Sequence, residues 1–361
     1  MKKFKKKILI ICPYPVGFAP GQRFKYEQYL GYLRSKGYHF TIRPFFTVET
    51  YKILYEPGMY LFKISAVLQG LIKRVLTIFS IPFYDGVYIF LNVSPVFSIF
   101  EKIYLKISRK IIYDIDDMVF ISKTSEVNKW ASFFKNNSKY FDLMKYSDYT
   151  ITSTKYLQKI SKKLSKNSIH ISSTIDTKKY KVGGINKKKI TIGWSGSYST
   201  GQYLLLIKEI LKKLVKKNIC NVLVIGSRQN DINEKCFKYL KCSKKNEIKN
   251  LKKIDIGVYP LPRNDWIKGK SGLKALQYMA LGKPVLASDV GSNNRIIKHN
   301  YSGYLIRKKS DWEYHLLKLI KKEKLRKKIG MNARKVILEK FSVNVNKNKY
   351  LEVFDNVFRK V

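Results

Sequence analysis

The sequence predicts an α/β protein built from two consecutive parallel sheets, and three features point to it. Short apolar runs without polar alternation recur, as at Lys7–Cys12, Gly86–Asn92, Ile190–Trp194 and Ile254–Pro260. Strands covered on both faces have that pattern. Amphipathic helical stretches lie between such runs, among them Gln22–Lys36, which Gly37 closes. The strand–loop–helix order then runs twice, once up to Asp176 and again from Ile190, on either side of the polar stretch Lys178–Lys189. A chain of 361 residues, 45% of them hydrophobic, is long and apolar enough for two cores.

In the first half, Lys7–Cys12 is the opening strand and Pro13–Gly21 a loop with three prolines and two glycines. Helix Gln22–Lys36 and strand His39–Pro44 complete a βαβ unit without a G-x-G-x-x-G fingerprint. Thr50–Ser80 is aromatic, apolar and basic together, and two readings stay open. It is either one or two packing helices or a surface dipping into a membrane interface, rings below and Lys/Arg above. The most apolar region, Met59–Phe100, is interrupted by Lys63, Lys73, Arg74, Pro82, Asp85 and Pro95, so no unbroken transmembrane span is expected. Strand Gly86–Asn92, helix Ser98–Arg109 and strand Lys110–Asp114 follow, the last running into Asp116 and Asp117. Acidic residues at the carboxyl edge of a parallel strand fit helix capping, an acceptor-side role or, as a third choice, a divalent metal. Strand Asp148–Ser153, helix Lys155–Leu164 and strand Ser168–Ser172 end this half.

In the second half, strand Ile190–Trp194 leads into the small-residue loop Ser195–Thr200, then helix Gln202–Lys216 and strand Asn221–Ile225. Phe237–Leu240 is a short strand and Ile248–Leu251 part of a helix. Ile254–Pro260 begins the most informative stretch: strand, basic loop Arg263–Ser271, helix Gly272–Leu281, then Gly282 and Pro284 before strand Val285–Ser288. A basic, glycine-rich loop opening a helix between buried strands is a place to hold an anion. Gly303–Ile306 is a last strand, followed by helices Trp312–Glu323, Leu325–Phe341 and Val343–Val361.

The net charge is +47, from 72 Lys and Arg against 25 Asp and Glu. Nucleic-acid binding would need a recognition module, and no zinc knuckle, RNP-like strand pair or helix-turn-helix is present, so no specific nucleic-acid partner is expected. An anionic membrane surface would suit the charge, and a general inflation of lysine supplies much of it. Cys12, Cys220, Cys236 and Cys242 have no metal-ligand spacing and are expected as free thiols.

The stretch Gly272–Pro284 (GLKALQYMALGKP), with Ile254–Pro260, Val285–Gly291, Ile112–Asp117, Thr174–Asp176 and Pro13–Leu30, resembles family 4 (group 1) retaining glycosyltransferases of the GT-B fold, of the bacterial surface-polysaccharide type. The resemblance implies two Rossmann-like domains facing across a cleft. These would be residues 1–180 for the acceptor and 186–342 for a nucleotide sugar, with 343–361 a helix returning to the first domain. It implies a sugar moved from a nucleotide-diphosphate donor to a lipid-linked or membrane-associated glycan, without an obligatory metal or cofactor. The place would be the inner face of the cytoplasmic membrane. Residue by residue it implies Lys270, Asp116 and Asp117 at the chemistry. For the donor it implies Gly21, Arg23, Ser195, Gly196, Ser197, Arg263, Lys268, Gly272, Leu273 and Gln277. The two glutamates usual in the family, seven residues apart, fall here on Gly269 and Gln277. That departure makes a weak or inactive GT-B-fold nucleotide- or glycan-binding protein the alternative.

Overall fold

The computed structural model describes residues 6–54, 56, 58–121, 137–183 and 189–359. The chain divides into two compact units: Met1–Ser173 with Gly269–Ser271 and Asn346–Val361, and Thr174–Lys268 with Gly272–Val345. Each contains a six-stranded parallel sheet with helical crossovers. The predicted linker Lys178–Lys189 falls partly outside the described residues, at 184–188.

The first unit holds β1 (Lys6–Cys12), β2 (Tyr38–Pro44), β3 (Gly86–Phe90), β4 (Ile111–Ile115), β5 (Tyr149–Thr152) and β6 (Ser168–His170), in the order β2-β1-β3-β4-β5-β6. Strand order reverses between β1 and β3, and crevices at such switch points take ligands at the carboxyl ends of the strands. Strands β3 and β4 are buried at every residue, as their unbroken apolar pattern requires. The C-terminal helix Val343–Phe358 joins this unit from Asn346 onward and stacks Tyr350 on Tyr29 and Phe354 on Tyr88.

The second unit holds β7 (Thr191–Ser195), β8 (Asn221–Ile225), β9 (Lys238–Leu240), β10 (Ile256–Tyr259), β11 (Val285–Ser288) and β12 (Gly303–Ile306), in the order β12-β11-β10-β7-β8-β9. This is the doubly wound order of dinucleotide-binding folds, with its switch point between β7 and β10. Its core packs Trp194, Val224 and Val258 with Leu211, Leu286 and Leu316.

Three stretches refine or depart from expectation. Gln22–Lys36 is not one helix but a turn at Pro20–Arg23, a 3₁₀ turn at Tyr26–Tyr29 and a helix at Leu30–Ser35. The break is at Lys25 (φ −111°, ψ −118°), whose ammonium is drawn into the core to Asp114. Thr50–Ser80 resolves into helices Val48–Ile53 and Tyr60–Ser80, and Lys63 and Arg74 point inward rather than lying above the rings. With its extension to Phe83, this second helix is long and apolar enough to cross a membrane by length and composition, contrary to the sequence reading. Helix Ser138–Tyr146 was not foreseen, because Lys139, Lys145 and Asp142 blur its apolar stripe.

Candidate active site

In the second unit, the β7–β10 switch point gathers the predicted phosphate-side residues. Ser195 ends β7, and its Oγ lies 2.9 Å from Tyr278 Oη, which fixes the strand end against the helix Leu273–Ala280. The Gly196 amide donates to Ile225 O at 2.9 Å. Glycine is required on both sides of this turn. A Cβ on Gly196 would lie 2.3 Å from the Trp194 ring, and one on Gly226 (φ +88°) would lie 2.1 Å from Gly196 O. Ser197 caps the following turn, its amide donating to Thr200 Oγ1 at 3.1 Å.

Across the same switch point, Gly272 begins the helix Leu273–Ala280 in the left-handed conformation (φ +74°), where a Cβ would strike Ile296 at 2.3 Å. The first amides of that helix, from Leu273 onward, form an anion-attracting end. Lys274, one residue on, was missed in the sequence because it looked like one more lysine. Its ammonium lies 5.8 Å from the Trp194 ring centre and 5.5 Å from that of Tyr259, so it sits over the ends of β7 and β10. The only signal available was its position two residues past a conformationally forced glycine.

Other predicted donor residues are placed differently. The loop Arg263–Ser271 contains a helical turn, Asp265–Lys268, and Lys268 Nζ pairs with Asp265 at 2.6 Å on the surface. Arg263 is exposed and donates to Arg307 O at 3.5 Å. Gln277 is buried, and its Nε2 donates to Tyr180 Oη at 2.8 Å and to Glu247 Oε1 at 3.1 Å. Gln277 is thus set against the carboxylate of Glu247, a residue that sequence spacing alone does not connect to the helix.

In the first unit, the candidates meet at the carboxyl ends of β1 and β4. The loop after β1 is pinned by Gln22, which donates to Tyr14 O at 2.9 Å and to Glu27 Oε1 at 3.0 Å, while Gly17 N donates to Glu27 Oε2 at 2.9 Å. This holds the Pro20–Arg23 turn so that a Cβ on Gly21 would lie 2.8 Å from Asp116 Oδ2. The guanidinium of Arg23 stacks 5.0 Å from the Phe24 ring centre. Asp117 Oδ1 accepts the Met118 amide at 2.9 Å, and its Oδ2 pairs with Lys270 Nζ at 2.5 Å. Lys270 lies in Gly269–Ser271, which group with this unit. A Cβ on Gly269 would lie 2.3 Å from Met118 Cγ, so Met118 fills the space that a side chain at position 269 would need.

Asp116 Oδ1 is enclosed without a hydrogen-bond partner. Burial, opposed by Lys25 and reinforced by Asp117 and Asp114, pushes its carboxyl up to about 7. A folded-state value above the unfolded one, about 3.9, means stability is lost as pH rises between those values. Asp116→Asn should therefore raise the melting temperature relative to the parent at about pH 8 and leave it little changed near pH 4. The gain is ~1–2 kcal/mol after allowing for partial solvent screening. Thermal unfolding of both proteins at the two pH values checks this, and equal gains at both would refute it. Among the described residues, no group of three or more His, Cys, Asp or Glu side chains could hold a metal ion.

Residues 176–336 match the family model described as glycosyl transferases group 1. No curated protein sequence matches the chain. Solved structures match along nearly the full length. Sucrose-phosphate synthase from Thermosynechococcus elongatus aligns with a TM-score of 0.69 at 11% identity, over 98% of this chain and 99% of that one. A glycosyltransferase from Rickettsia africae gives 0.67 at 14%, covering 99% and 100%. Anabaena HepE in complex with UDP and glucose gives 0.66 at 12%, covering 98% and 100%. The chain therefore has the GT-B glycosyltransferase fold, and its residues 176–336 match the group 1 glycosyltransferase model.

Proposed function

We propose that this protein is a glycosyltransferase that takes a nucleotide-diphosphate sugar as donor and transfers the sugar, with retention, to a glycan acceptor that is lipid-linked or membrane-associated. The observation that carries the reading is the β7–β10 switch point, where the helix that starts after Gly272 turns its first amides, at Leu273 and Lys274, and the Lys274 ammonium toward the strand ends beside the tight turn at Gly196. An anion bound there is met by backbone N–H groups and a lysine together.

Cleaving the sugar–phosphate bond leaves a diphosphate with added negative charge while the sugar carbon becomes cationic. Cations and amides fixed before the reaction stabilise that charge without reorganising. In this reading the first amides of the helix after Gly272, at Leu273 and Lys274, hold the diphosphate with the hydroxyls of Ser195 and Ser197, the Gly196 turn leaves room for it, and Lys270 meets the charge that develops. Asp116, with its carboxyl near 7, can receive an acceptor proton near neutral pH, and Asp117 holds Lys270 in place. Gln277 and Glu247 supply the polar contact for the nucleotide ribose. Both HepE and the pneumococcal transferase GtfA were solved with UDP, which makes uridine the first base to test.

UDP, GDP and ADP should be compared by thermal shift. One of them, at about a hundred times its Kd, should stabilise the second unit by about 2.7 kcal/mol. If none shifts the melting temperature, the donor reading fails. A second reading, a nucleotide binder without turnover, is favoured by Gly269, whose side-chain space Met118 occupies. Sugar release from a donor in the presence of the protein would exclude it.

A further inference from the structure

The helix Tyr60–Ser80 is amphipathic in the inverse sense. Its inward stripe is Lys63, Ala66, Gly70, Arg74 and Thr77, small or polar residues at three- and four-residue spacing. Each polar group there is satisfied. Arg74 donates to the carbonyls of Val93 (2.6 Å), Arg43 (3.0 Å) and Cys12 (3.0 Å), and Lys63 donates to Glu56 O. Gly70 lets the helix close on Phe45, whose ring would lie 2.3 Å from an added Cβ. The outward stripe is Leu61, Leu68, Ile72, Leu76, Phe79 and, just beyond the helix, Phe83. Leu61, Phe79 and Phe83 are 84%, 72% and 78% exposed, so a contiguous apolar face is left to solvent.

The geometry points to this stripe as the surface on which the protein docks to an anionic lipid bilayer, lying in the interface rather than crossing it. Crossing would require withdrawing Lys63 and Arg74 from the carbonyls that hold them, whereas interfacial burial leaves every one of those bonds in place. From Tyr60 to Phe83 there is no acidic residue, and of the three basic residues Lys63 and Arg74 face inward while Lys73 is exposed. The neighbouring helix Ile99–Ile107 adds exposed Ile99, Lys102 and Lys106. The nearest acidic residues in sequence are Glu56, which precedes the stripe, and Asp85, which follows it and is paired with Lys6 at 3.2 Å. A second copy of the chain fits poorly as the occupant, since it would bring +47 against +47. An anionic surface instead gains about 1 kcal/mol for each basic residue held near it. The inference does not rest on the transferase reading, because lipid binding is scored without donor or acceptor.

The full-length protein should co-sediment with vesicles containing phosphatidylglycerol and much less with pure phosphatidylcholine vesicles. Leu68→Glu/Leu76→Glu should weaken binding to the anionic vesicles by at least about tenfold at unchanged melting temperature. The milder Leu68→Gln/Leu76→Gln should weaken it in the same direction. High salt should reduce binding by the parent protein yet leave a remainder that the glutamine variant lacks. Equal binding by parent and variants would overturn the proposal, and so would equal partition onto both lipids. A lipid-free parent dimer that the glutamine variant turns into monomers would assign the stripe to a second copy instead.

Discussion

Lys25→Met should destabilise the first unit by roughly 3–5 kcal/mol, the range for breaking one side of a buried ion pair. The Lys25 ammonium is fully buried, 3.2 Å from Asp114 Oδ1 and 2.7 Å from Ile171 O. On its other oxygen, Asp114 accepts from Tyr88 Oη at 2.5 Å and from Tyr350 Oη at 3.4 Å. One carboxylate in the middle of the sheet thus ties together β4, β3, the turn after Arg23 and the C-terminal helix. Burial already raises the Asp114 carboxyl, and Lys25 is the largest influence holding it down. Without Lys25 the folded-state value rises further above the unfolded one, so the variant's deficit should grow as pH rises. Urea unfolding near pH 5 and near pH 8 would read this directly. Lys25→Met/Asp114→Asn should recover most of the loss, because no buried charge is then left unpaired. A single-variant cost below about 1 kcal/mol would mean that the pair does not organise the unit.

The same pair explains why some of the molecule was legible in the sequence and some was not. Strands β1, β3, β4, β7 and β10 lie within a few residues of the apolar runs that announced them, because a doubly covered strand has little choice but to be apolar throughout. Gly272 was read as the start of a helix, and the structure makes it the residue before it, left-handed and with Ile296 packed where a Cβ would stand. What the sequence could not carry was partnership at a distance. Nothing in the pattern of Gln22–Lys36 says that Lys25 leaves the helix for Asp114, eighty-nine positions on. Likewise, nothing local links Gln277 to Glu247, or Gly269 to Met118. The apolar residues of Tyr60–Ser80 were visible, but their outward direction was not. A periodic stripe marks one face of a helix without saying which side is wet, and here Arg74 and Gly70 decide it.

Lys270→Ala should lower sugar transfer by about 10²–10³-fold, the cost of removing one pre-positioned group that meets charge developing in the transition state. Lys270 and Asp117 are both only partly buried, so their pair adds little to folding and the variant's melting temperature should stay close to the parent's. Stability and activity thereby separate. The leaving diphosphate is more negative in the transition state than in the bound donor, so kcat and kcat/KM should fall together while KM for the donor moves little. Lys270→Arg keeps the charge but spreads it over a plane, and should restore part of the rate. Asp117→Asn, which loosens the lysine without removing it, should produce a smaller loss of the same kind. The measurement is nucleoside diphosphate release with the donor whose base passes the thermal-shift comparison. If Lys270→Ala retains more than about a third of the activity, Lys270 is not the group that meets the leaving charge. The next residue to remove would be Lys274, whose ammonium stands over the ends of β7 and β10. A large loss there, with Lys270 dispensable, would move the chemistry from the loop before Gly272 to the first turn of the helix that follows it.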